Sequence, residues 1–158
     1  MKPSAQVTWA ADGVEPFVDE GEVRAATEAA VAHGGRPGLP VDVIFVREAE
    51  LTRMHAEYLD DPTPTDVITF DLGASGEFEP SEGPAGELYV SVDRAIEVVK
   101  ERGGSPRAEL LLYVVHGCLH LCGFDDHEDE DRERMRAAER AVCDRLHLEL
   151  TRGPHEFE

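Results

Sequence analysis

Ser105-Pro106-Arg107-Ala108-Glu109-Leu110-Leu111-Leu112-Tyr113-Val114-Val115-His116-Gly117-Cys118-Leu119-His120-Leu121-Cys122 reads as one helix. Serine followed by proline is an N-cap with a first-turn residue whose φ is already helical. From Ala108 onward the segment is apolar nearly all round, so it belongs in the middle of a domain rather than on its surface. His116 and His120 interrupt that apolar surface four residues apart and stack on one face. A buried imidazole needs a polar partner, and a stacked pair can share a metal. Gly123 follows where a helix end favours positive φ. The chain can then reverse through Phe124-Asp125-Asp126 and bring His127 back to the same ion. Two helical histidines, a glycine break and a third histidine predict a three-nitrogen centre of His116, His120 and His127. Its fourth position is open for water, as a catalytic zinc requires. Zinc lowers the pKa of such a water to about 7, giving a nucleophile at neutral pH. Asp125 and Asp126 are candidates to orient a ligand histidine.

Working outward, Gln6 to Trp9 alternates as a short strand, and Val18 to His33 reads as a helix ended by Gly34-Gly35. Val41 to Val46 is a strand. Arg47 to Tyr58 returns to helical spacing, with Leu51, Met54 and Tyr58 on one stripe. The prolines of Asp60-Asp61-Pro62-Thr63-Pro64 impose a loop. Val67 to Phe70 is a strand, Leu72 to Gly86 a glycine-rich loop, and Glu87 to Val92 a strand. Asp93 to Arg102 and Glu128 to His147 are helices, the last with its charges outward, and Thr151 to Glu158 reads as a tail. The expected fold is a single α+β domain over residues 1–150, with about four strands in a mixed sheet and about five helices around the metal-bearing one. The strand–helix–strand unit from Val41 to Phe70 permits a parallel pair, and the long loop before Glu87 leaves the last pairing open.

With 158 residues, 41% hydrophobic and 31% charged, the chain has the composition of one soluble globular domain. It lacks the roughly 18 consecutive apolar residues of a membrane span. Its first residues do not resemble a signal peptide, so a cytoplasmic protein is expected. Cys118, Cys122 and Cys143 are odd in number and read as buried, reduced thiols. On the helix, Cys118 and Cys122 lie about 200° round from His116 and cannot join its metal. His33, His55, His147 and His155 read as packing or surface residues, with His55 a weaker site candidate. The formal charge of −19 argues against a nucleic-acid-binding surface, whose usual footprint is basic.

Zinc peptidases of the H-E-x-x-H type place a general-base glutamate directly after the first histidine; here that residue is Gly117. A peptidase is therefore the weakest of three readings. Phosphodiester cleavage needs no base at that point, because the metal can activate water and stabilise phosphoryl charge.

The stretch from His116-Gly117 through Leu119-His120-Leu121 to Gly123-Phe124-Asp125 resembles the signature of the YbeY family of rRNA maturation endoribonucleases. Pro64-Thr65-Asp66-Val67-Ile68-Thr69-Phe70 is similar to that family's second motif, and Gly86-Glu87-Leu88-Tyr89-Val90-Ser91 to its third. The resemblance implies one zinc held by three histidines. It also implies cleavage of single-stranded RNA in 16S rRNA 3′-end maturation and ribosome quality control, on precursor rRNA or a ribosomal particle. Two departures stand out. The family commonly has its third metal histidine six positions after the second, whereas His127 is seven after His120. Either His127 reaches the ion through a longer turn, which is the preferred reading, or Asp126 replaces it, since carboxylate is an acceptable zinc ligand. Many members also carry an arginine shortly before the second motif, where this chain has Leu59. Arg94, Lys100, Arg102 and Arg107 are substitutes for RNA contact, or equally a solvated helix face. Thr65 and Asp66 are candidates for the cleft wall, or simply strand-entry residues. A non-catalytic, metal-stabilised assembly factor that binds ribosomal proteins or precursor rRNA remains the alternative, favoured by the acidic charge.

Overall fold

The computed structural model describes residues 6–59, 66–73 and 83–148. In chain order the elements are β1 (Val7–Trp9), α1 (Glu20–His33), β2 (Val41–Val46), α2 (Glu48–Leu59), β3 (Val67–Asp71), β4 (Gly86–Ser91), α3 (Val92–Arg102), α4 (Pro106–Leu121) and α5 (Asp129–Arg145). The α+β architecture is the one the sequence predicts. Thr65, the Asp60–Pro64 loop, much of the loop after Leu72, His155 and the tail from Thr151 lie outside the described residues, as do the side chains of Tyr58 and Leu59.

Local chemistry sets the helix starts. Asp19 and Glu22 close a reciprocal capping box at α1, with Glu22 N donating to Asp19 at 2.8 Å and Asp19 N to Glu22 at 2.9 Å. This places the first helical residue at Glu20 rather than at Val18. Ser91 caps α3 through Arg94 N at 3.1 Å, so the strand ends one residue earlier than the alternation suggests. Ser105 caps α4 through Ala108 N at 3.2 Å, with Pro106 in the first turn as expected.

The sheet order is β1-β2-β4-β3, with β1, β2 and β4 parallel and β3 antiparallel to β4. This corrects the parallel β2–β3 pair that the sequence permits, because β4 lies between them. Burial explains the order. Val41, Val43 and Phe45 of β2 and Gly86, Leu88 and Val90 of β4 are all buried on one face, as central strands require. In β3 only Ile68 is buried, which suits an edge. That face of the sheet lies against α4, which is buried without a break from Ala108 to Leu119 and is enclosed by α1, α3 and α5. Ile44, Val46, Ile68, Phe70 and Tyr89 face the other way and pack with Leu51 and Met54 of α2.

α4 comes unusually close to the sheet at Gly117. A Cβ there would stand 2.8 Å from Leu88 Cδ2 and 3.3 Å from Thr69 Oγ1. At its C-terminus, Gly123 takes φ +101°, and Phe124 N returns to Leu119 O at 3.1 Å. The chain reverses here as the sequence predicts, and Phe124 packs back on the core.

Candidate metal centre

His116 and His120 present their rings edge to face at the C-terminal end of α4, with centroids 4.6 Å apart. Their Nε2 atoms lie 3.0 Å from each other. After the Gly123 reversal, Asp126 brings Oδ2 to 3.5 Å from both Nε2 atoms. The three donor atoms fall within 4.8 Å of one another, a group able to hold a metal ion. His127 is not brought to this pair. Its side chain is 83% exposed, and its Nε2 lies 3.4 Å from Asp125. Asp125 is itself exposed; it accepts the Asp126 backbone N–H at 2.7 Å and so helps shape the turn rather than touching a helical histidine.

Each helical histidine is oriented through its other nitrogen. His120 Nδ1 donates to Phe124 O at 3.0 Å. His116 Nδ1 is hydrogen-bonded to the carboxylate of Glu139, a fully buried residue of α5. The expectation that α5 turns its charges outward therefore fails at Glu139. The signal was present in sequence: Met135, Ala138, Val142 and Cys143 form the buried stripe of α5, and Glu139 stands within it.

The electrostatics suit a cation. Burial would lower the pKa of His116, but Asp126, Glu139 and Asp66 outweigh it and raise the ring to about 9. His120 is pushed down, first by burial and then by His116. Asp66, just before β3, is raised to about 6 by burial, with His116 pulling the other way. Its backbone carbonyl accepts Ser91 N at 2.9 Å, which ties the start of β3 to the start of α3. An imidazole pair facing three carboxylates concentrates negative charge where a divalent ion would be neutralising.

Of the four basic residues suggested for RNA, one acts electrostatically on a carboxylate beside the histidine pair. Arg94, in the first turn of α3, interacts electrostatically with Asp66. Lys100 and Arg102 are exposed in the last turn of α3. Arg107 is engaged by Glu22 at 2.6 Å. The three cysteines are free thiols, with Cys118 and Cys143 buried and Cys122 half-buried against α1, where its Sγ lies 3.9 Å from Val31 O. Among the other histidines, His33 and His147 are exposed and His55 lies on α2, outside the cluster.

The Endoribonuclease YbeY family matches residues 16–147. The chain belongs to the YbeY family. An Endoribonuclease YbeY from Lachnoclostridium phytofermentans is 32% identical over 149 residues, covering 84% of this chain and 90% of the relative. That of Rhodopirellula baltica is 42% identical over 129 residues, covering 80% of this chain and 63% of the relative. That of Bacillus licheniformis is 35% identical over 126 residues, covering 76% and 80%. The solution structure of TM1509 from Thermotoga maritima superposes with a TM-score of 0.58 at 23% identity, over 90% of this chain and 91% of that one, which shows a shared fold. A YbeY endoribonuclease acts on RNA, and His116, His120 and Asp126 of this member form a group able to hold a metal ion. Among the described residues no helix is long and apolar enough to cross a membrane.

Proposed function

We propose that this chain is a zinc-dependent endoribonuclease that cleaves single-stranded RNA in 16S rRNA 3′-end maturation and ribosome quality control. The observation that carries the reading is the convergence of His116, His120 and Asp126 donors beside Asp66, in a chain of the YbeY family. A zinc ion held there would supply Lewis-acid chemistry to a phosphodiester. Two imidazoles and one carboxylate are an established donor set for catalytic zinc.

The third ligand is assigned to Asp126. His127 becomes the alternative, because its side chain stands in solvent, while Arg132 donates to its carbonyl oxygen at 3.1 Å. Arg94 is assigned to a substrate phosphate near the site, in the role sought at Leu59. Asp66 forms the wall between that phosphate and His116, and Thr65 precedes it in the chain. In this reading the functional domain spans residues 1–150, with 151–158 as a tail. The cytoplasm suits its three free thiols. Gly117 points at Leu88 and Thr69 rather than towards the metal donors, so it leaves no place for a peptidase base.

The charge of −19 supports a second reading, a metal-stabilised assembly factor that contacts basic ribosomal proteins and cuts nothing. Elemental analysis and cleavage of a single-stranded RNA oligonucleotide separate the two. The enzyme reading expects about one zinc per chain, lost in His116→Ala, His120→Ala and Asp126→Ala and kept in His127→Ala, with chelator-sensitive cleavage. Metal retained in Asp126→Ala but lost in His127→Ala would return the third ligand to His127. Stoichiometric zinc without cleavage of RNA, free or in a ribosomal particle, would leave the assembly factor standing.

A further inference from the structure

We propose that Glu139 is a positioning residue for the metal centre: it accepts the Nδ1–H of His116 and so fixes the tautomer whose Nε2 is free to bind a divalent cation. This rests on the reading of His116 as a ligand and goes beyond it to how the ligand is prepared. A neutral imidazole carries one proton, and the bond made by one nitrogen decides what the other can do. His116 is only 4% exposed, so the protein rather than solvent makes that choice. Its Nδ1 meets the Glu139 carboxylate, while its Nε2 faces His120 Nε2 at 3.0 Å and Asp126 Oδ2 at 3.5 Å. Glu139 is fully buried, and Met135, Ala138, Val142 and Cys143 around it on α5 are buried too. Packing alone would be served better by another apolar side chain, because a buried carboxylate is costly unless paired.

The same helix also holds the other ligand-bearing segment. Arg132, two turns before Glu139 and on the same side of α5, donates to His127 O at 3.1 Å and to Asp126 O at 3.4 Å. α5 thus braces both the first histidine of α4 and the turn that brings Asp126 back. Outer partners of this kind typically change metal affinity by roughly 10–100-fold when removed.

The test uses the full chain, with Zn2+ as the probe, titrated against a chromophoric chelator at pH 7.5. The melting temperature of each chelator-treated protein is measured alongside. Glu139→Met keeps the length of the side chain but removes the acceptor for Nδ1–H. It is expected to bind zinc roughly 10–100-fold more weakly than wild type while the metal-free melting temperature stays close to wild type. Zinc affinity within about twofold of wild type would overturn the inference while leaving His116 a ligand. A purely structural role would lower the melting temperature and leave the affinity of folded protein unchanged. A second measurement needs no variant. Long-range nitrogen–proton NMR of histidine-labelled, zinc-loaded wild type should show the His116 proton on Nδ1; a proton on Nε2 would refute the proposal even if Glu139→Met failed to fold. Wild-type chain that takes up no zinc would defeat the ligand reading itself, and this inference with it.

Discussion

Gly117→Ala tests whether α4, the helix that carries His116 and His120, lies as close to the sheet as the structure shows. The new Cβ would sit 2.8 Å from Leu88 Cδ2, 3.0 Å from Leu88 Cδ1 and 3.3 Å from Thr69 Oγ1. Leu88 is fully buried at the centre of the sheet and has little room to turn away. Two effects oppose each other. Alanine in place of glycine inside a helix gains about 0.8–1.0 kcal/mol. Forcing a methyl into a packed core costs about 1–3 kcal/mol. The expected net effect is a loss of about 0–2 kcal/mol, or up to several degrees at ~2–4 °C per kcal/mol for a chain of this size. Urea unfolding followed by circular dichroism, in chelator so that metal binding does not contribute, measures it. A cycle with Leu88→Ala isolates the clash. That change alone costs about 2–5 kcal/mol, and in its background Gly117→Ala should become stabilising by its helix propensity. If Gly117→Ala stabilises the wild-type background equally, so that the coupling is near zero, the close approach of α4 to β4 is wrong.

Four further outcomes follow from the same geometry. Chelation of zinc-loaded protein should lower stability by about 2.7 kcal/mol at a hundredfold excess of free zinc over its dissociation constant; a melting temperature that chelator does not move would argue against metal-coupled folding. Arg94→Ala should weaken RNA binding and reduce the salt slope of binding by about 1, whereas Arg107→Ala, which breaks a pair with Glu22, should change neither; equal effects would remove Arg94 from the site. In metal-free protein the raised pKa of His116 means that folding favours its protonated form, so this stability is present below pH 6.5 and lost as pH rises towards about 9; a urea midpoint that climbs between those values would contradict the carboxylate cluster. Burial pushes the Cys118 thiol up and Cys143 to about 12, so Cys122 should be alkylated first in the native protein and the other two only on unfolding; mass spectrometry after a short pulse of alkylating agent reads the order.

The parts legible in sequence are those fixed by neighbours along the chain. Ser105-Pro106 marks the start of α4 and Gly123 its end, because caps and positive φ are properties of a few adjacent residues. The pairing of His116 with His120 follows from helix geometry alone, and burial of α4 from a surface that is apolar nearly all round. Strand limits came close for the same reason, since alternation is local.

Tertiary structure decided what distant segments do to one another. Alternation in β2, β3 and β4 says that each is a strand, but not that β4 separates the other two; that follows from which strands bury a whole face against α4. Spacing places Asp126 and His127 next to each other after the same turn. Only the three-dimensional path of Phe124 to His127, with its backbone held by Arg132 and Asp125, points one carboxylate inward and leaves the neighbouring imidazole in solvent. Glu139, 23 residues beyond His116, reaches it only because α5 folds across α4. Local sequence determined the helix that carries His116 and His120; the approach of Asp126 to that pair and of Glu139 to His116 depends on contacts between elements, which no local pattern encodes.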